Sequence, residues 1–164
     1  MQVIRKIVGI SCEFSARIGM LAIFVLLALT VSDVIGRYTL NKPIPGAFEL
    51  TKILFALSAF FSFPVSQYKG ENLGITILYE KFPIRIRGIL DLLSSSISIV
   101  MFSIAVRQTL KYAARMKMAN SITSVLRWPM YPWIYLAVVG LLLLVLALFL
   151  DFLTAIKELK GEDR

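Results

Sequence analysis

Residues 130–150 read MYPWIYLAVVGLLLLVLALFL, an apolar run that carries no formal charge. An α-helix rises ~1.5 Å per residue, so ~20 such residues cross the ~30 Å hydrocarbon core of a bilayer. Inside that core the backbone must satisfy its own N–H and C=O groups, and a single segment does so as a helix. The stretch therefore reads as a membrane span. Working back along the chain, residues 18–35, 53–65 with apolar flanks on both sides, and 89–106 repeat the pattern. A membrane barrel would instead need many short strands of alternating polarity, which the sequence lacks. The expected fold class is all-α: one polytopic membrane domain over residues 1–164. It has four transmembrane helices, at about 18–37, 47–68, 88–108 and 130–152, plus short interfacial amphipathic helices.

Composition agrees. Hydrophobic residues make up 58% of the chain and mean hydropathy is +0.79, above the roughly half-apolar usage of soluble domains. Four spans leave three connections and two short termini, too little for a separate soluble domain. A net charge of +8, from 18 Lys and Arg against 10 Asp and Glu, would suggest a nucleic-acid partner in a soluble protein. Here the cations lie mainly beside the spans, where they set topology and meet anionic phospholipid headgroups, so no nucleic-acid partner is expected. The single cysteine, Cys12, cannot form an internal disulfide.

Arg5 and Lys6 before an apolar stretch look like the start of a secretory signal, but Glu13 and Arg17 interrupt it and no small-residue cleavage site follows. The segment is expected to be retained. Val3, Ile7, Ile10 and Phe14 share one helical face while Gln2, Arg5, Lys6, Glu13 and Arg17 fall largely elsewhere. That is the pattern of a helix lying in the headgroup plane, with a plain extension of the first span as the alternative. In the 70–88 connection Leu73, Ile77, Leu78, Tyr79 and Phe82 oppose Glu71, Glu80, Lys81, Arg85 and Arg87, predicting a second short interfacial helix. With the amino terminus inside, ten positive residues lie on the cytoplasmic side and seven outside, and the short first connection carries only Arg37 and Lys42. Both termini are therefore expected in the cytoplasm. Arg107, Lys111 and Arg115 recur every four residues, so the third helix should continue past the membrane with a basic stripe on one side.

The most informative polar residues flank the first hairpin. Asp33 and Arg37 are one turn apart at the end of span one, Glu49 and Lys52 three residues apart at the start of span two, and Asn41, Lys42, Pro43, Pro45 and Gly46 supply turn chemistry between them. A charge at the bilayer centre costs ~2.5–3.5 kcal/mol on insertion scales, so charges this near a membrane pair, snorkel or face other protein. Two readings follow. The four residues trim the helix ends by snorkelling, or they form a cross-hairpin network that presents a polar face to a partner subunit.

Ser58 and Ser62 in span two, and Ser94 and Ser98 in span three, repeat at four-residue spacing, which allows close helix approach and makes them, with Asp33, Arg37, Glu49 and Lys52, candidate contacts to a partner subunit or to lipid. A substrate path lined by the same hydroxyls is the competing reading. Trp128, Tyr131, Trp133 and Tyr135 are interleaved with Pro129 and Pro132, the composition of an aromatic belt at the interface. Pro132 suits the first turn of a helix. The absence of histidine excludes bis-histidine haem ligation and leaves zinc or a histidine base without its usual residue. One cysteine excludes a Cys-x-x-Cys pair, and no Gly-rich phosphate loop is present. No catalytic, substrate-binding or metal-binding residue and no cofactor is assigned, and an enzyme is the weaker class.

A family pattern runs through most of the chain. Arg37-Tyr38, Pro43, Pro45 and Glu49-Leu50 come first; then Lys69-Gly70-Glu71-Asn72-Leu73 and Glu80-Lys81-Phe82-Pro83; then Pro129 with Tyr131, Trp133 and Tyr135, leading into a span with Gly140. In this order the motifs resemble the small membrane subunit, or Q component, of tripartite ATP-independent periplasmic (TRAP) transporters. Members of that family often carry histidine where this chain has Asn72 and aspartate where it has Thr76. The resemblance implies a large membrane subunit holding the substrate and sodium sites, and a periplasmic substrate-binding protein that captures an organic acid. The small subunit would be the static scaffold of an elevator-type carrier in the bacterial inner membrane. Arg37 and Glu49 carry over as contacts to the partner subunit or to lipid headgroups, with no residue assigned to substrate. The small subunit of tripartite tricarboxylate carriers, a membrane enzyme or electron-transfer anchor, and a homo-oligomeric channel or regulatory subunit stand as alternatives.

Overall fold

Four long helices run up and down in the computed structural model, which describes residues 2–70 and 84–160. They are α1 (Gln2–Leu40), α2 (Ala47–Lys69), α3 (Ile84–Met118) and α4 (Tyr131–Lys160). All four are long and apolar enough to cross a membrane, and there is no β-strand among the described residues. The all-α, four-helix expectation is met. The short helix expected in the 70–88 connection falls largely on residues 71–83, outside the described residues.

The amino-terminal segment differs from the expectation of a separate helix. Residues 2–17 are the first turns of α1, which continues unbroken for 39 residues, about 58 Å at the standard rise. The physical reason lies on the face opposite Ile7, Ile10 and Phe14. Gly9, Cys12, Ser15, Ala16 and Gly19 form one buried strip that crosses the supposed junction, so the same surface packs against the bundle on both sides of it. Cys12 and Val8 meet Ala147, Val65, Tyr68 and Leu150 in one apolar cluster, and Tyr68 Oη donates to the Arg5 carbonyl at 3.2 Å. The stripe of Ile7, Ile10 and Phe14 remains exposed.

Packing runs α1 on α2, α2 on α4 and α4 on α3, with α4 also touching α1. In its most apolar window α4 has 39% of residues buried inside the chain and α3 only 6%. The central element is thus α4, while α3 leans almost wholly on α4. Most large apolar side chains of α1 and α3 face outward, as lipid-facing helices require.

Mid-bundle, the three tightly packed helices meet through backbone. Pro64 lies inside α2 and is fully buried; lacking an N–H, it leaves the Phe60 carbonyl without its helical donor. Gly140 of α4 sits against that carbonyl so closely that a β-carbon there would collide with it. The neighbouring Phe61 carbonyl accepts a 2.7 Å hydrogen bond from the buried Ser15 hydroxyl of α1. Gly19 packs on the same stretch of α2, where an added β-carbon would come within 2.6 Å of Ser62 Oγ.

Candidate functional site: the latched hairpin end

Polar side chains that bind across elements concentrate at the two ends of the bundle. At the hairpin end, α1 stops where Asn41 adopts φ 51°, the Lys42 N–H donates to the Gly36 carbonyl at 3.1 Å, and Pro43 and Pro45 prevent the helix from continuing. Asp33 holds this turn from two sides. Its Oδ2 pairs with Arg37 Nη2 at 2.6 Å, and its Oδ1 accepts the Ile44 N–H at 2.8 Å. The carboxylate is buried while 57% of the Arg37 side chain stays exposed, so the guanidinium keeps donors available for a further partner.

Glu49 does something the sequence did not suggest. Its two oxygens accept the N–H groups of Val125 at 2.8 Å and Leu126 at 3.1 Å, in the connection between α3 and α4. The Thr123 hydroxyl and the Ser124 N–H are directed at the same carboxylate. That connection is a small knuckle. Ile122 and Pro129 form an antiparallel bridge, the Thr123 N–H donates to the Trp128 carbonyl at 2.9 Å, and the Trp128 N–H returns to Thr123 Oγ1 at 3.0 Å. Asn120 and Arg127 turn the chain at φ 44° and 54°. The N–H groups at the tip then point outward from the knuckle and need an external acceptor, which Glu49 supplies. Gly46, at φ 78°, lets the knuckle seat, because a β-carbon there would meet Leu126 Cγ at 2.5 Å.

The cross-hairpin network expected from these residues is therefore two separate latches. Among the described residues no bond joins Arg37 to Glu49. Asp33 ties the first connection to α1, and Glu49 ties the third connection to α2. Lys52 lies over the Phe48 ring, 4.1 Å from its centroid, instead of pairing with Glu49. Beside the first latch a groove of about 500 Å³ opens between α1 and α2, lined by Thr30, Asp33, Arg37, Tyr38, Phe48 and Thr51 among others.

The remaining sequence candidates divide. Ser58 is buried in the α1–α2 seam and Ser62 half-buried beside Gly19, so both face this chain's own α1. Ser98 is half-buried on α3, and Ser94 is exposed beside a polar hollow of about 280 Å³ at the opposite end. Gln67, Asp91, Ser95, Asp151 and Thr154 line that hollow too, with Gln67 Nε2 donating to Asp151 Oδ2 at 2.7 Å. Trp128 stacks on Trp133 with ring centroids 6.1 Å apart, and Tyr131 meets Tyr135 edge-on at 6.5 Å. The aromatic residues thus pair along the start of α4 as one collar.

Two binding elements were missed by sequence reasoning: the N–H groups of the 121–130 connection, which carry no side-chain signal, and the Gln67–Asp151 bond. The second had a signal, since both residues sit toward the C-terminal ends of the second and fourth apolar helices, which run parallel in an up-and-down bundle, and so at one depth. A comparison with individually curated proteins found no match. The family model for tripartite ATP-independent periplasmic transporters, DctQ component, matches residues 26–158. That interval takes in both latches, the aromatic collar and the Pro64–Gly140 contact, and the chain belongs to the DctQ component family of TRAP transporters.

Proposed function

We propose that this chain is the static small subunit of a sodium-driven, binding-protein-dependent transporter of organic acids. It braces the moving domain of a large membrane subunit in an elevator-type cycle and helps dock the periplasmic substrate-binding protein. In this reading the chain lies in the bacterial inner membrane with both termini cytoplasmic, so the hairpin end with its two latches faces the periplasm. Arg37 with its open donors, and the knuckle held by Glu49, are the contacts offered to partner subunits or headgroups.

The observation that carries the reading is the sealed middle of the bundle. The contacts of Pro64, Gly140, Ser15 and Gly19 close the α1–α2–α4 seam at mid-depth, while the polar-lined hollows among the described residues lie toward the ends. A carrier needs a polar site near the midplane at the meeting point of its repeats. Scaffolding needs a rigid body with broad apolar faces, which α1 and α3 provide. The test is reconstitution of the purified chain in liposomes under a sodium gradient. No uptake of organic acids is expected until the large subunit and the binding protein are added. Sodium-dependent uptake by this chain alone would refute the scaffold assignment.

A further inference from the structure

α2 and α3 both pack on α4 and scarcely on each other. The gap between them is a lateral groove of about 320 Å³ floored by α4, with an almost wholly apolar lining that includes Ala56 and Phe60 of α2, Tyr112 of α3, and Trp133 and Ala137 of α4. One cation lines it: Lys52, in the second turn of α2, exposed and without an ion-pair partner among the described residues. We infer that this groove is a seat for a glycerophospholipid, with one acyl chain lying between α2 and α3 and the anionic phosphate held by the Lys52 ammonium.

Three arguments converge on that occupant. Water does not fill a slot with so few polar partners, and an empty slot would forfeit the dispersion contacts of its whole lining. A partner helix is too thick. It is ~10 Å across with its side chains, whereas an acyl chain is slim enough to lie along the floor between α2 and α3. Charge decides the headgroup, because Lys52, whose ammonium lies over the Phe48 ring and meets no carboxylate among the described residues, sits in the same half of the groove as Tyr112 and Trp133, whose amphipathic rings settle at headgroup depth. The inference is independent of the scaffold assignment and of which leaflet this end occupies.

The test uses the full chain, with the membrane partner it co-purifies with, in phosphatidylcholine vesicles. These contain a small share of phosphatidylglycerol bearing a photoactivatable diazirine in one acyl chain. Crosslinked peptides are mapped by mass spectrometry, with labelling around Phe24, on the exposed face of α1, as the control for folding and insertion. Label is expected on the α2 and α4 peptides containing Ala56 and Ala137. Lys52→Gln should lower it about fivefold, the equivalent of ~1 kcal/mol for one lysine toward anionic lipid. Ala56→Phe, which fills the groove from an exposed position, should abolish it while leaving the Phe24 signal unchanged. Diacylglycerol with the same diazirine, lacking the phosphate, should label weakly. Three results would each overturn the proposal. They are equal labelling by the two probes, labelling insensitive to Lys52→Gln, or no groove labelling in the wild-type complex together with loss of the partner subunit in Ala56→Phe, which would make the groove a protein contact.

Discussion

Gly140→Ala is the sharpest probe of the bundle, because it adds one methyl group where α4 meets the backbone of α2. The β-carbon would overlap the Phe60 carbonyl oxygen and carbon, and a backbone group inside a helix cannot swing aside as a side chain does. Overpacking of this kind costs ~1–3 kcal/mol, and parting the helices also sacrifices any Cα–H···O contact, worth ~0.5–1 kcal/mol. Against this, alanine is favoured over glycine in a helix by ~0.5–1 kcal/mol. The steric term wins, leaving a net destabilisation of about 1–2 kcal/mol, a factor of ~5–30 in the folded-to-unfolded ratio. Equilibrium unfolding in mixed micelles, followed by the fluorescence of Trp128 and Trp133, measures it. Val139→Ala, on the exposed side of the same turn, should stay within about 0.5 kcal/mol of wild type. Pro64→Ala returns a donor to the Phe60 carbonyl, so the double variant with Gly140→Ala should depart from additivity by ~0.5 kcal/mol or more. Wild-type stability in Gly140→Ala, or strict additivity in the cycle, would refute the reasoning.

Glu49→Ala should speed amide hydrogen exchange at Val125 and Leu126 and leave the α4 amides alone, with Glu49→Gln between it and wild type; unchanged exchange would mean that the knuckle is held by something else. Gly46→Ala should lower stability by roughly 1–2 kcal/mol, because φ 78° is left-handed and the methyl group meets Leu126; stability at the wild-type level in the same unfolding assay would contradict this. In a Cys12→Ser background, a cysteine at position 42 should react with an impermeant thiol reagent in intact cells and one at position 164 should be protected, and the reverse pattern would invert the proposed topology. Arg37→Ala should weaken co-purification of the large subunit by at least about tenfold and reduce transport with it, as when one member of an interfacial ion pair is removed, while Lys42→Ala in the exposed turn does little. Intact assembly with normal transport would leave Arg37 as a snorkelling residue only.

The sequence made the spans legible because twenty apolar residues in a row have few other stable fates. It made the roles of Asp33 and Glu49 only half legible. Each lies at a helix end beside an opposite charge, and sequence spacing sees side-chain neighbours. The partners that matter, the N–H groups of Ile44, Val125 and Leu126, are backbone groups present at every position, so nothing in the composition marks them. The Asp33–Arg37 pairing, a local contact one turn apart, was readable; the Glu49 latch, closing over 76 residues, was not. Ser58 and Ser62 repeat at the spacing of close helix approach, but that they face Gly19 of this chain's own α1 could be found only once the rotation of α1 was known. The unbroken α1 stood only as the alternative, because an apolar face of Ile7, Ile10 and Phe14 set against charged residues is the pattern of an interfacial helix, while the small-residue strip from Gly9 to Gly19 that packs on the bundle carries little hydrophobic signal.

That strip bears on what moves. A one-turn slip of packed helices is an available conformational change when the contacts on either side of the slip are interchangeable. At the α2–α4 crossing they are not. Moving α4 by a turn would bring Leu136 or Leu144 to the Phe60 carbonyl, where even a β-carbon does not fit. Sliding α1 would bring Ile23 or Ser15 to the place of Gly19 against Ser62, and would break the Ser15–Phe61 bond. The same three helices are tied at one end by Tyr68–Arg5 and Gln67–Asp151 and at the other by the Asp33 and Glu49 latches, so a slip must break bonds at three depths together. Among the described residues α3 rests almost wholly on α4, through side chains such as Val106 and Phe102. In the proposed scaffold role, α1, α2 and α4 therefore respond to a moving partner as one body.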